Sequence, residues 1–178
     1  MSFGTILGLV FYIAQNFGIA LGVGGATMSL ILASRNRAHN IEASDIAGRI
    51  ERLGLWFIVV SGIFITLAHL IASEIDVLTA PVYTFKWVLI ALIFVFNVVA
   101  SITRIKDEPH APIVGITVAT WYALFVVHTA QPAFSYAQFF GIYASWVVVS
   151  FVLFNSYTTR KEVSAPAVSA SPSTTSTQ

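Results

Sequence analysis

Cysteine is absent from the 178 residues, which excludes disulfide frameworks, thiolate-bound metals, iron–sulfur clusters and cysteine nucleophiles. Charge is nearly as scarce: Asp, Glu, Lys and Arg make up 10% of the chain against 57% hydrophobic residues, and mean hydropathy is +0.82. A soluble domain carries about 25% charged residues, so this composition assigns the chain to a bilayer. The formal net charge is only +1, and the basic residues are spread over short connections. That leaves no electrostatic footprint for nucleic acid, which is not expected as a partner. No Lys or Arg precedes the first apolar segment; without the positive region of a secretory signal, the segment reads as a retained membrane helix. Walker loops, zinc-protease pairs, nucleophile elbows and dinucleotide fingerprints are all missing. Gly22-Val23-Gly24-Gly25 is glycine-rich, but it lies in a membrane segment and lacks the strand that a phosphate loop requires. No enzymatic reaction is named by these patterns.

What is present is a series of five apolar stretches, at about residues 3–33, 53–73, 82–103, 112–130 and 137–157. Each approaches or exceeds the roughly 20 residues that an α-helix needs to cross a ~30 Å hydrocarbon core. The expected fold is all-α: a polytopic membrane bundle of five transmembrane helices in one domain, residues 1–162. Beyond it, residues 163–178 are Ser, Ala, Thr and Pro with few apolar side chains, a composition that predicts a disordered cytoplasmic tail.

Cations mark alternate connections. Arg35, Arg37, Arg49 and Arg52 join spans one and two, Arg104 and Lys106 follow span three, and Arg160 and Lys161 follow span five. The other connections carry Glu74 and Asp76, then Gln131 and Pro132, without Lys or Arg. The positive-inside rule therefore predicts the N-terminus outside and the C-terminus in the cytoplasm. In the connection from Ser34 to Glu51, Asn40 and Ser44-Asp45 precede Ile46, Ile50 and Leu53, which predicts a helical start running into span two. Pro81 and Pro112 suit the first turns of spans three and four.

Against this apolar background four polar side chains stand out: Gln15, His69, Lys86 and His128, one in each of the first four spans. Counted from the cytoplasmic markers at ~1.5 Å per residue, all four lie about 24–30 Å up, in the outer part of the bilayer core. An ionisable group at that depth is costly without a partner or a task. Helical spacing adds to the pattern. Gln15, Gly18, Gly22, Gly25 and Ser29 form one small-residue face, and Gly62, Thr66, His69 and Ser73 another. Lys86 and Asn97 are about three turns apart on one face. Tyr136, Tyr143, Ser150 and Tyr157 recur at intervals of seven. Glycine faces are packing devices first. Tyr136, Tyr157, Trp56 and Trp87 read as interfacial anchors, and Asn97 as an interhelical hydrogen bonder. Lys86 is near enough to the outer boundary to reach headgroups as readily as the interior. His39 and His110 fall in cytoplasmic connections and read as solvated.

His69 and His128, at equal depth, admit two readings. One is a pair of histidines hydrogen-bonded near the interface. The other is axial ligation of a haem b across a nitrogen–nitrogen gap of roughly 4 Å; copper or zinc would also accept the imidazoles. Gln15 and Lys86 complete the candidate cofactor-binding set.

Several short segments resemble a family of uncharacterised bacterial integral membrane proteins with about five spans. They are Gln15-Asn16-Phe17-Gly18 leading into Leu21-Gly22-Val23-Gly24-Gly25-Ala26-Thr27, Arg52-Leu53-Gly54-Leu55 with Ser61-Gly62, Phe85-Lys86-Trp87 with Asn97, Trp121-Tyr122, and Ser135-Tyr136 before Tyr143. More distantly, the chain is similar to copper-resistance D-type membrane proteins and to the membrane-bound protoporphyrinogen oxidase of bacterial haem synthesis. Those resemblances imply a helical bundle in a bacterial inner membrane, with a histidine in the first span and a lysine in the third. Lys86 matches the lysine, whereas Gln15 stands where the histidine is expected. Three functions are then open: an accessory or structural subunit working with itself or a membrane partner, a cytochrome b-like or porphyrin-handling protein, and transport of a small solute, metal or proton through an outward-facing pocket.

Overall fold

Long uninterrupted runs of Leu, Ile, Val, Ala and Phe fill every backbone hydrogen bond within the segment, the requirement the bilayer interior imposes. In the computed structural model, residues 3–34, 41–105, 111–130 and 133–163 are described, with the side chains of residues 6–32, 43–102, 113–130 and 133–153. They form α1 (Phe3–Ser34), α2 (Ile41–Ile71), α3 (Ile75–Thr79), α4 (Pro81–Ile105), α5 (Ala111–Ala130) and α6 (Tyr136–Val163). No strand occurs among the described residues. Five of the helices, all except the short α3, are long and apolar enough to cross a membrane. The fold is an all-α bundle. Pro81 opens α4 and Pro112 lies in the first turn of α5, where a missing N–H costs nothing. The helical start expected before span two is present, since α2 runs unbroken from Ile41. His39, His110, Gln131, Pro132 and the tail beyond Val163 lie outside the described residues.

Glycine sets how the first two helices meet. A Cβ on Gly54 would stand 2.6 Å from both Gly18 O and Gly22 N, and one on Gly25 would stand 2.7 Å from Glu51 N. The backbones of α1 and α2 therefore touch directly, the close approach that small residues permit in membrane helices. Gly22, between them on the same face, receives the ring of Trp121 from α5 instead. Helix α1 is thereby clamped between α2 and α5. Helix α4 packs on α5, with Leu89, Ile90 and Ile93 meeting a core that includes Ile19, Ile58, Trp121 and Leu124. By contrast, α2 and α4 touch only slightly. Helix α6 lies at the edge of the bundle. It is held to α5 by Tyr143 OH and Thr120 Oγ1, 2.9 Å apart, and by Trp146 Nε1 donating to Ala119 O at 2.9 Å.

Helix α2 ends in a tight turn that places a side chain of the candidate site. Ser73 N donates to Leu70 O and Glu74 N to His69 O, while Ser73 takes φ 59°. This is the paired-bond C-terminal cap in which the left-handed position normally belongs to glycine. The turn brings Glu74 back over His69. A Ser73→Gly change relieves a left-handed L-residue, whose conformation costs roughly 1–2 kcal/mol. It is expected to stabilise the protein by about 1 kcal/mol, read as a higher melting temperature in detergent; an unchanged or lower value contradicts the strain.

Candidate functional site

Helix α1 divides the four-residue polar layer rather than gathering it. Its Asn16 points toward α5, where Oδ1 accepts from His128 Nε2 at 3.2 Å while Nδ2 donates to Tyr12 O at 2.9 Å. Tyr12 stacks on the same imidazole, with ring centroids 5.9 Å apart. Gln15, one position earlier, faces α2 and approaches Gly62, over which Trp87 of α4 also packs. Trp87, expected as an interfacial anchor, packs partly buried against the core; the missing side chain at Gly62 opens the space its indole occupies. Trp56 is 66% exposed on the outside of α2, as an anchor would be.

The two histidines have separate surroundings. His69 Nδ1 is 2.6 Å from Glu74 Oε2, and its ring meets Tyr83 edge-on, with Tyr83 OH hydrogen-bonded to Thr66 on α2. His128 is buried, 5% exposed, and its Nδ1 is sealed from solvent with no hydrogen-bond partner. A ligand axial to a haem needs one free nitrogen with open space before it. His69 meets the first condition, because a carboxylate on Nδ1 leaves Nε2 to ligate. His128 does not fit: its Nε2 is taken by Asn16 and its Nδ1 is enclosed by protein. The pair therefore does not fit a haem held between them. Among the described residues, no three His, Asp or Glu side chains gather as a metal ion would need.

Lys86 is half-buried on α4 and lies within electrostatic range of His128. No carboxylate is within salt-bridge distance of it among the described residues. It belongs to the inward stripe 86, 89, 90, 93 and 97, whose Leu89, Ile90 and Ile93 are buried, so its stem points along the interior face. The spacing argument for Lys86 and Asn97 holds: Asn97, three turns away, makes the expected interhelical hydrogen bond.

Its partner was not expected. Asn97 Nδ2 donates at 3.0 Å to Oε1 of Glu51, and the indole N–H of Trp121 donates to the same oxygen at 2.8 Å. Glu51 is 6% exposed and Trp121 0%. The residue read as the last of a cytoplasmic connection is a buried carboxylate inside α2, drawn in because Gly25 lets α1 lie directly on its backbone. A buried carboxylate requires such hydrogen bonds, since desolvation costs several kcal/mol per ion. The one sequence signal was its helical register: Ala47, Glu51, Leu55 and Ile58 follow steps of four, four and three, and all are buried.

Two polar levels thus sit on shared helix faces. On α5, Trp121 and His128 are seven residues apart, about 10 Å along the axis. On α4, which runs antiparallel, Asn97 and Lys86 match them in the same order. Between the levels lie Ile19, Ile58, Leu89, Ile93 and Leu124, each at most 3% exposed. No family model, curated protein or solved structure matches this chain.

Proposed function

We propose that the protein is a multi-pass membrane protein of the bacterial inner membrane that passes protons between its Lys86–His128 level and its Glu51 level. The observation that carries this reading is the placement of three ionisable side chains toward the bundle interior at two depths: Lys86 of α4 and His128 of α5 at one, and Glu51 of α2, held by Asn97 of α4 and Trp121 of α5, at the other. Intramembrane ionisable residues directed at the interior mark ion pathways and proton relays. Each of the three can hold or release a proton at a defined atom: Lys86 at Nζ, His128 at Nδ1, Glu51 at its carboxylate. The dry layer between them closes the route at rest. Conduction requires its transient hydration, the way hydrophobic constrictions gate. The cation distribution puts the Lys86 level outward and the Glu51 level toward the cytoplasm, and the bacterial location rests on the family resemblance.

The test is proton flux into pyranine-loaded liposomes under a valinomycin-clamped potassium gradient. The wild type is expected to acidify the lumen faster than protein-free liposomes, and Lys86→Met and Glu51→Gln each to reduce the excess rate at least tenfold. An accessory or structural subunit predicts protein-free rates for all three proteins, and that result overturns the reading. Equal rates in wild type and both variants overturn it as well.

A further inference from the structure

Helix α2 seats tightly on α1 and touches α4 only slightly, and a cleft of about 340 Å³ lies between α2 and α4. Leu55, Trp56 and Val59 form one wall, and Phe94, Val98 and Ile102 the other. Trp56, Phe94, Val98 and Ile102 are exposed, so the cleft opens sideways from the bundle into the lipid. Its polar lining residues, Arg52, Asn97 and Ser101, are not scattered. In α2, Arg52 precedes Leu55, Trp56 and Val59; in antiparallel α4, Asn97 and Ser101 follow Phe94. The polar residues therefore cluster at one end, beside Ile102, and the cleft is apolar for about two turns beyond them.

That end belongs to the arginine-bearing connection. Arg52 is exposed and fixed by its Nε, which donates to Gly48 O at 3.1 Å. This bond uses Nε and leaves the two terminal nitrogens, which form the planar fork that suits a phosphate. Arg49, one turn earlier, is exposed too. We infer that the cleft between α2 and α4 is a binding site for an anionic phospholipid, with the phosphate on Arg52 and an acyl chain along Trp56, Val59, Phe94 and Val98. The charge and the apolar walls are complementary to the two halves of one such molecule, and the opening faces the leaflet that supplies it. Basic residues next to a span select anionic over zwitterionic lipid in the same way. A neutral hydrophobic occupant would use the walls and leave Arg52 without a role.

The inference is tested by native mass spectrometry of the full chain released from nanodiscs containing equal parts phosphatidylglycerol and phosphatidylcholine. The wild type is expected to retain one phosphatidylglycerol in preference to phosphatidylcholine. Arg52→Gln should lower that preference about fivefold, the effect of one basic residue at an anionic leaflet, and Arg52→Lys should restore most of it. Val98→Trp, which fills the cleft from its lipid-exposed wall, should remove the bound lipid, with helicity by circular dichroism reporting that the protein stays folded. Equal retention of the two lipids by the wild type overturns the inference. So does an unchanged preference in Arg52→Gln, or full retention in folded Val98→Trp. Because this readout is bound lipid, it is independent of proton flux.

Discussion

Gly54→Val is expected to destabilise the bundle by about 3 kcal/mol or more, at or beyond the upper end of the usual cost of overpacking. The reason is the nature of the obstacle. A new Cβ at Gly54 meets Gly18 O and Gly22 N, both backbone atoms, and backbone within a helix has no rotamer by which to yield. The two helices must separate, and their separation also moves Glu51, whose own backbone lies against Gly25. Gly24→Val supplies the control, because a Cβ there meets nothing within 4 Å; its effect should stay within about 0.5 kcal/mol. Unfolding by sodium dodecyl sulfate, followed by circular dichroism, measures both. Comparable losses at Gly54 and Gly24 would show that helix propensity, not backbone contact, governs this interface.

Trp121→Ala is the second large effect. It deletes a fully buried indole that fills the hollow over Gly22 and donates to Glu51. Truncation of a buried Trp costs about 3–5 kcal/mol through lost contacts and the cavity left behind. Trp121→Phe separates the two contributions. It keeps most of the ring and removes the N–H, so the loss should be about 1–3 kcal/mol, the cost of leaving a buried acceptor short of a donor. Combining Trp121→Phe with Glu51→Gln should cost less than the sum of the single changes, since a neutral amide needs the indole less; the coupling expected for a direct contact is 0.5–3 kcal/mol. Strict additivity in that cycle would disprove the hydrogen bond as a source of stability.

The contrast between Asn97 and Glu51 explains how far the sequence could be read. Depth along a helix follows from counting residues, so the five long apolar helices and the shared face of Lys86 and Asn97 were legible. The angle at which each helix is turned toward its neighbours was not. Gln15 and Asn16 are adjacent, yet one faces α2 and the other α5, and this single rotation separates the expected four-residue layer into two environments. Glu51 was hidden for a different reason. It stands between Arg49 and Arg52, so local composition describes the edge of a loop. Its burial is decided by Gly25, 26 residues earlier, and by Trp121, 70 residues later. The packing of Trp87 was hidden likewise, because the vacancy it fills belongs to Gly62 on another helix.

The clamp of α1 between α2 and α5 also dictates a chronology. Helices α1 and α2 are complete when synthesis reaches Ile71, whereas α5 begins 40 residues later at Ala111. At about 5–20 residues per second, the first hairpin is in the membrane for a few seconds before Trp121 is translated. Asn97 is translated within that interval and Trp121 after it, so the two donors become available to the carboxylate of Glu51 in turn, the amide before the indole. Biogenesis therefore passes through a half-built intermediate in which Glu51 still lacks its indole donor, and the arrival of α5 is the event that supplies it.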